Sequence, residues 1–212
     1  MTTILLIRHG QSVSNFKGIF TGHLDLELTE HGHAQAETTA RYIADNFQVD
    51  KVYTSDLSRA YDTGAAVAKL FGLQVQKDRR LREIWAGDWE GRTFNELTEN
   101  YPNYKIFRSD IGNCVTDGGE SVAQLSQRVM EAFYDIAKAN EGKTVVIATH
   151  ATPIRALQCH CEGKSLNEMK DVPWVTNASV TTVVYENEVL KLKEVCHDAH
   201  LGDNVSRFPS NV

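Results

Sequence analysis

Two histidines in this chain stand directly after aliphatic runs. Ile4-Leu5-Leu6-Ile7 leads into Arg8, His9 and Gly10, and Val145-Val146-Ile147-Ala148-Thr149 leads into His150. A short uninterrupted aliphatic run reads as a strand buried on both faces of a parallel sheet, and ligands of open α/β sheets bind just past the carboxyl ends of such strands. A third unit, residues 51–54, ends in Ser55-Asp56-Leu57-Ser58-Arg59-Ala60. Together the three units would bring Arg8, His9, Arg59 and His150 to one sheet edge. Arginine binds phosphate oxygens in a fixed fork and stays charged. A neutral imidazole can attack phosphorus and carry the phosphoryl group covalently, while a second imidazole holds charge on the transferring oxygens. The departing alcohol needs a proton, which a carboxylic acid in a dry pocket can give. Glu83, in Leu81-Arg82-Glu83, follows a strand that can end beside the others. Gly10 permits a sharp turn or a close approach, and Ser12, Ser14 and Asn15 add small polar groups. A metal held by His9, His150 and Glu83 is the rival chemistry, and two arginines in the same pocket would repel a divalent cation.

The elements that must position these groups follow from periodicity and caps. Thr29 caps a helix to about residue 47 with Ala36, Ala40, Ile43, Ala44 and Phe47 on one face. A second helix carries Ala60, Gly64, Val67 and Phe71 in register and stops at Gly72. Residues 73–76 suit a strand. Thr93 and Glu96 form a capping box ahead of a helix ending before Pro102. Residues 103–119 have no clean period and read as a loop or lid. Ser121 opens a long amphipathic helix with Val122, Leu125, Val129, Phe133 and Ile136 aligned. Thr152-Pro153 reads as a cap followed by proline at the first helical position, and Ser165 with Glu168 as a further capping box. Residues 179–185 and 189–195 flank Glu186-Asn187-Glu188 as an edge hairpin that could pair with a second copy. From His197 on the chain reads as a polar, loosely held tail, 198–212. No linker or repeat divides the sequence, so residues 1–212 read as a single α/β domain: three layers, α/β/α, around a mostly parallel central sheet.

Bulk properties narrow the partners. A net charge of −6 argues against nucleic acid and leaves room for a locally basic pocket suited to a small anion. No apolar stretch approaches the roughly 18 residues of a membrane span, and no signal-like segment opens the chain, so a cytoplasmic protein without membrane contact is expected. Cys114, Cys159, Cys161 and Cys196 make no CxxC pair and read as free thiols. His23, His31, His33, His160, His197 and His200 read as surface or packing residues. Trp85 and Trp89 read as core or pocket wall.

These residues in this order resemble the histidine phosphatase superfamily, also called the phosphoglycerate mutase-like family. The likeness runs through Arg8-His9-Gly10 with Ser12 and Asn15, Phe20-Thr21-Gly22, Leu28-Thr29, Gly32, Ser55-Asp56-Leu57-Ser58-Arg59-Ala60, Leu81-Arg82-Glu83, Gly87-Asp88-Trp89-Glu90-Gly91, Gly118-Gly119-Glu120-Ser121 and Thr149-His150. The resemblance implies that His9 accepts the phosphoryl group, that Arg8, Arg59 and His150 form the phosphate pocket, and that Glu83 protonates the leaving group. It places Asn15, Thr21, Gly22 and the backbone of Ala151 around the substrate, and it implies no metal and no cofactor. Ala151 stands where the family commonly has glycine, and His23 where many relatives carry an aromatic residue or glutamine. The 83–118 segment is short, with only Arg92, Lys105 and Arg108 as cations, which favours hydrolysis of a small phosphorylated metabolite. A bisphosphoglycerate-dependent mutase and a non-catalytic phospholigand-binding protein are the alternatives. Leaving-group selectivity is expected from residues 17–23 and 103–117. A monomer and a homodimer both fit the sequence.

Overall fold

The computed structural model describes residues 1–206. Strand β1 (Thr2–Arg8) is followed by a one-turn helix α1 (Val13–Lys17) and by α2 (Glu30–Asn46). Next come β2 (Lys51–Thr54), α3 (Ser58–Phe71) and β3 (Val75–Lys77). Two short helices, α4 (Phe94–Asn100) and α5 (Pro102–Ser109), precede the long α6 (Val122–Ala139). Then β4 (Thr144–Thr149), α7 (Ala151–Cys161), β5 (Val180–Glu186) and β6 (Val189–His197) complete the main elements. The strands form one sheet in the order β3-β2-β4-β1-β5-β6. The first four in that order run parallel, and the β5–β6 hairpin adds on antiparallel.

The alternation of β1 decides the layers. Ile4 and Leu6 face one apolar layer with Val145, Ile147, Leu125, Val129, Phe133 and Ile154, while Leu5 and Ile7 face another with Val146, Ala148, Val52, Ala40, Ile43 and Val67. Successive side chains of a strand point to opposite faces, so a run that is apolar at every position must be covered on both. The amphipathic helix α6 and the buried helix α7 supply one cover, α2 and α3 the other.

Register then determines where the two histidines go. Arg8 pairs with Thr149, and the His9 amide donates to the Thr149 carbonyl at 2.9 Å. The next residue of each strand therefore leaves the sheet at the same level, side by side. Thr54 pairs with Ala148, which brings Ser55 and the first turn of α3 to the same edge.

Three expectations need correction. Residues 102–109 are helical rather than a loop. Pro102 sits at the first helical position, and only Tyr104 and Phe107 of the segment are buried, so a two-residue apolar face is too short to show a period. Helix α7 starts at Ala151, with His150 rather than Thr152 in the cap position. Pro153 falls at the third helical position, where the missing N–H has no intrahelical acceptor to lose. The chain beyond His197 is held as far as Ser206: Leu201 is buried, the Gln35 side-chain amide donates to the Asn204 carbonyl at 2.6 Å, and Thr39 Oγ1 lies 2.9 Å from His200 Nε2. Residues 207–212 of the expected tail lie outside the described residues.

Candidate active site

At the carboxyl edge of β1 and β4 the His9 and His150 rings meet edge to face, with centroids 5.1 Å apart. Both are buried. His9 Nδ1 lies 2.7 Å from the Gly10 carbonyl. A carbonyl can only accept, so Nδ1 carries the proton and Nε2 keeps its lone pair. Gly10 makes this turn possible because the loop runs against the start of α2, where a Cβ at position 10 would collide with the Gly32 carbonyl. His150 Nε2 lies 2.9 Å from Ser55 Oγ. That hydroxyl oxygen already accepts from the Leu57 amide, so its hydrogen is available to His150 Nε2. In the tautomer where that hydrogen is given to Nε2, the proton of His150 sits on Nδ1, which is buried and has no partner among the described residues.

The arginines are braced by backbone carbonyls. Arg8 Nη1 donates to Val175 at 2.5 Å. Arg59, in the first turn of α3, donates to Leu24 at 3.0 Å and to Gly22 at 2.9 Å. Gly22 adopts φ +53°, and a Cβ there would strike Glu90 and Ala86, so the loop carrying Thr21 and Gly22 can approach Arg59 only with glycine at this position. Burial pulls both guanidinium pKa values down to about 10, against the opposing charge of Glu83.

Asn15 is oriented by its surroundings. Its Oδ1 accepts from the Ser12 amide at 3.1 Å, Ser12 Oγ at 3.0 Å and Asn177 Nδ2 at 3.1 Å. With the oxygen saturated, the amide nitrogen is the part left for the cavity that Asn15 lines. Glu83 lines the same cavity. Its Oε1 accepts from the Ile84 amide at 2.8 Å, and its Oε2 accepts from the Thr152 amide, at the start of α7, at 3.3 Å. Thr149 Oγ1 donates to the Leu81 carbonyl at 2.7 Å, which ties the Glu83 segment to the strand that delivers His150.

The cavity holds about 350 Å³, within the usual range for a small-molecule site. Arg8, His9, Asn15, Thr21, Gly22, Arg59, Glu83 and Ala151 line one part of it, and Phe20, Phe94, Tyr104 and Phe107 wall another. Those four aromatics pack mostly edge to face, with Phe20 5.3 Å from Phe107 and 6.1 Å from Tyr104. Parts of segments 17–23 and 103–117 thus line the cavity, at 19–22 and at Tyr104, Phe107, Arg108 and Ile111, while the wall formed by Arg155, Lys170 and Trp174 was not anticipated. Trp85 is half exposed and lies away from this cavity, whereas Trp89 is fully buried. Among the described residues no group of three or more His, Cys, Asp or Glu side chains is placed to hold a metal ion, and no helix is long and apolar enough to cross a membrane.

A profile of the histidine phosphatase superfamily (branch 1) matches residues 4–198. The chain belongs to that superfamily. It is 32% identical to phosphoserine phosphatase 1 of Hydrogenobacter thermophilus over 93% of this chain and 94% of that protein. The structure of Bacillus stearothermophilus YhfR superposes with a TM-score of 0.90 at 28% identity, covering 95% of this chain and all of the other. A phosphoserine phosphatase from Entamoeba histolytica, solved with phosphoserine, superposes with a TM-score of 0.84 at 31% identity over 95% of this chain and all of the other. These relatives support a phosphatase function.

Several residues of this histidine phosphatase site escape sequence reasoning. Asn177 is fully buried, and its Nδ2 donates both to the His9 carbonyl at 2.9 Å and to Asn15. Arg128 on α6 donates to the carbonyls of Arg80, Arg82 and Glu83 and pairs with Glu120. His23 is half-buried, and its Nε2 lies 2.9 Å from the Glu83 carbonyl. All three act through backbone carbonyls distant in sequence, which no local pattern reveals. Asn177→Asp replaces a donor with a buried carboxylate facing two acceptor oxygens. It should lower kcat/KM by roughly 10- to 100-fold, the range seen for outer partners of reacting groups, and weaken competitive inhibition by inorganic phosphate. Unchanged phosphate inhibition would remove Asn177 from this role.

The histidines also set a pH dependence. Burial, then Arg59 and Arg8, hold the His9 pKa well below the usual imidazole value; burial, Arg59 and His9 do the same for His150. In the unfolded chain these groups titrate near about 6.5. As pH falls through that value the unfolded state gains protons that the fold refuses, so the free protein loses stability on the acid side. Thermal melts at pH 7 and pH 5 should show this loss, and millimolar phosphate, which favours protonated imidazole, should reduce it. The acid limb of kcat/KM should lie below the ordinary histidine range for the same reason.

Proposed function

We propose that this protein is a metal-independent phosphatase that hydrolyses a small phosphate monoester through a phosphohistidine on His9. The observation that carries the reading is the tautomer of His9, whose Nδ1 is engaged by the Gly10 carbonyl while its ring packs against that of His150 and lines a cavity shared with Arg8 and Arg59.

The phosphate enters with its oxygens toward Arg8, Arg59, the Asn15 amide and His150 Nδ1–H. His9 Nε2 forms the N–P bond as the ester P–O bond breaks, and the leaving oxygen takes a proton held by Glu83. Water then attacks phosphorus, its proton passes to the Glu83 carboxylate, and the N–P bond breaks to release phosphate. Two arginines and the imidazole N–H supply the charge stabilisation of transferring oxygens, so the residues of the chain suffice for each step. Phosphoserine is a natural first substrate to try, given the relatives.

The test is steady-state hydrolysis of an aryl phosphate in excess chelator. Sustained release of phosphate supports the reading; absence of turnover with tight phosphate binding would favour a binding protein instead. Primer-dependent interconversion of phosphoglycerates exceeding hydrolysis would favour a mutase.

A further inference from the structure

The cavity has a second cationic end that phosphate binding leaves unused. Arg155 lies on the inner side of α7, four residues after Ala151 and so about 6 Å further along the helix. Its residue is only 2% exposed. Among the described residues it has no acidic ion-pair partner, whereas Arg82 and Arg128, outside the cavity, each have one and Arg80 has two. Nε donates to the Val172 carbonyl at 3.2 Å, and Nη2 donates to Met169 at 2.5 Å and Val172 at 2.9 Å. These bonds fix the guanidinium plane and leave Nη1, with its two N–H groups, without a partner among the described residues. The Trp174 ring covers the guanidinium at 4.1 Å and is itself half exposed. Arg155, Trp174 and the neighbouring Lys170 all line the cavity that holds His9 and Glu83.

A buried cation held by two carbonyls and an indole face is oriented but not neutralised. Capping the carbonyls of residues 169 and 172 accounts for Nε and Nη2; it does not account for a cation without an ion-pair partner on a wall of the cavity. Burial depresses its pKa to about 10, so it stays charged at neutral pH and gains from an anionic partner. We propose that Arg155, covered by Trp174, forms a subsite for a carboxylate on the leaving group, so that the preferred substrates are phosphate esters of short hydroxy acids. Arg8 and Arg59 hold the phosphate at one end, Arg155 holds the carboxylate at the other, and the Phe20 and Phe107 wall packs against the carbon skeleton between them. This rests on the phosphatase reading above.

The test compares two nearly isosteric esters, 3-phosphoglycerate and glycerol 3-phosphate, which differ in a carboxylate against a neutral hydroxymethyl group. The native protein should favour 3-phosphoglycerate in kcat/KM by 10-fold or more. Arg155→Met should bring the ratio close to one through a higher KM for 3-phosphoglycerate, and Arg155→Lys should recover part of it. Trp174→Ala, at a half-exposed position, should lower the ratio without a folding defect and serves if Arg155→Met does not fold. A native ratio near one, turnover of an aryl phosphate but of neither ester, or a ratio that survives both Arg155→Met and Trp174→Ala overturns the subsite while leaving the phosphatase intact. A native protein inactive on the aryl phosphate as well overturns the phosphatase reading itself.

Discussion

Replacing His9 with alanine should reduce turnover of any phosphate ester by at least roughly 10⁴-fold, the scale of losing a covalent nucleophile. The fold should survive. His9 borders an open cavity, so removing the ring leaves no closed void, and it also removes a buried imidazole whose charged form the site disfavours. Arg8, Arg59 and His150 remain, so the variant should still bind inorganic phosphate. Retained phosphate protection in a thermal melt, with turnover lost, separates a missing nucleophile from a damaged pocket. A residual rate within 10-fold of the native protein would mean that water, not His9, attacks phosphorus.

The second large effect concerns Glu83 and depends on the leaving group. Glutamine fills the same space, and its single side-chain oxygen can keep the shorter of the two amide bonds that hold the carboxylate, the one from Ile84, while the longer one from Thr152 is lost, so the site should largely keep its shape. Glutamine cannot give up a proton to an alkoxide. Glu83→Gln should therefore slow hydrolysis of an alkyl ester by roughly 10²- to 10⁴-fold, the usual contribution of a positioned general acid. A nitrophenyl ester, whose leaving group departs as a stable anion, should lose far less. Plotting rate against leaving-group acidity for the native and variant proteins checks this. Equal losses across the series would assign Glu83 to binding rather than proton transfer.

Much of the architecture is legible in the sequence because one-dimensional patterns carry it. The doubled grammar of aliphatic run followed by histidine at Ile4–His9 and Val145–His150 specifies two central parallel strands, and parallel register then makes the two histidines neighbours. Helices α2, α3 and α6 announce themselves by caps at Thr29 and Ser121, by the Gly72 stop and by a 3.6-residue period. Where the reading falls short, the physics is non-local or the element is too brief. Helix α5 buries just Tyr104 and Phe107, and a helix of eight residues shows little period. Helix α7 is buried at nine consecutive positions from Ala151 to Cys159, which erases the amphipathic signal and hides its start behind Thr152-Pro153. An arginine within such a buried run is the available clue to Arg155. Asn177 and Arg128 act by donating to the carbonyls of His9 and Glu83, contacts that span 168 and 45 residues and that composition does not encode.

The central claim is that the phosphoryl group passes through the imidazole at position 9. The direct measurement is rapid mixing with substrate, quenching in base, and mapping of the modified peptide by mass spectrometry. The account predicts one acid-labile, base-stable phosphoryl group on His9, formed and lost fast enough to lie on the path of turnover and absent from His9→Ala. A phosphoryl group on another residue, or catalysis at full rate with none trapped at His9 under conditions where dephosphorylation limits turnover, would contradict it.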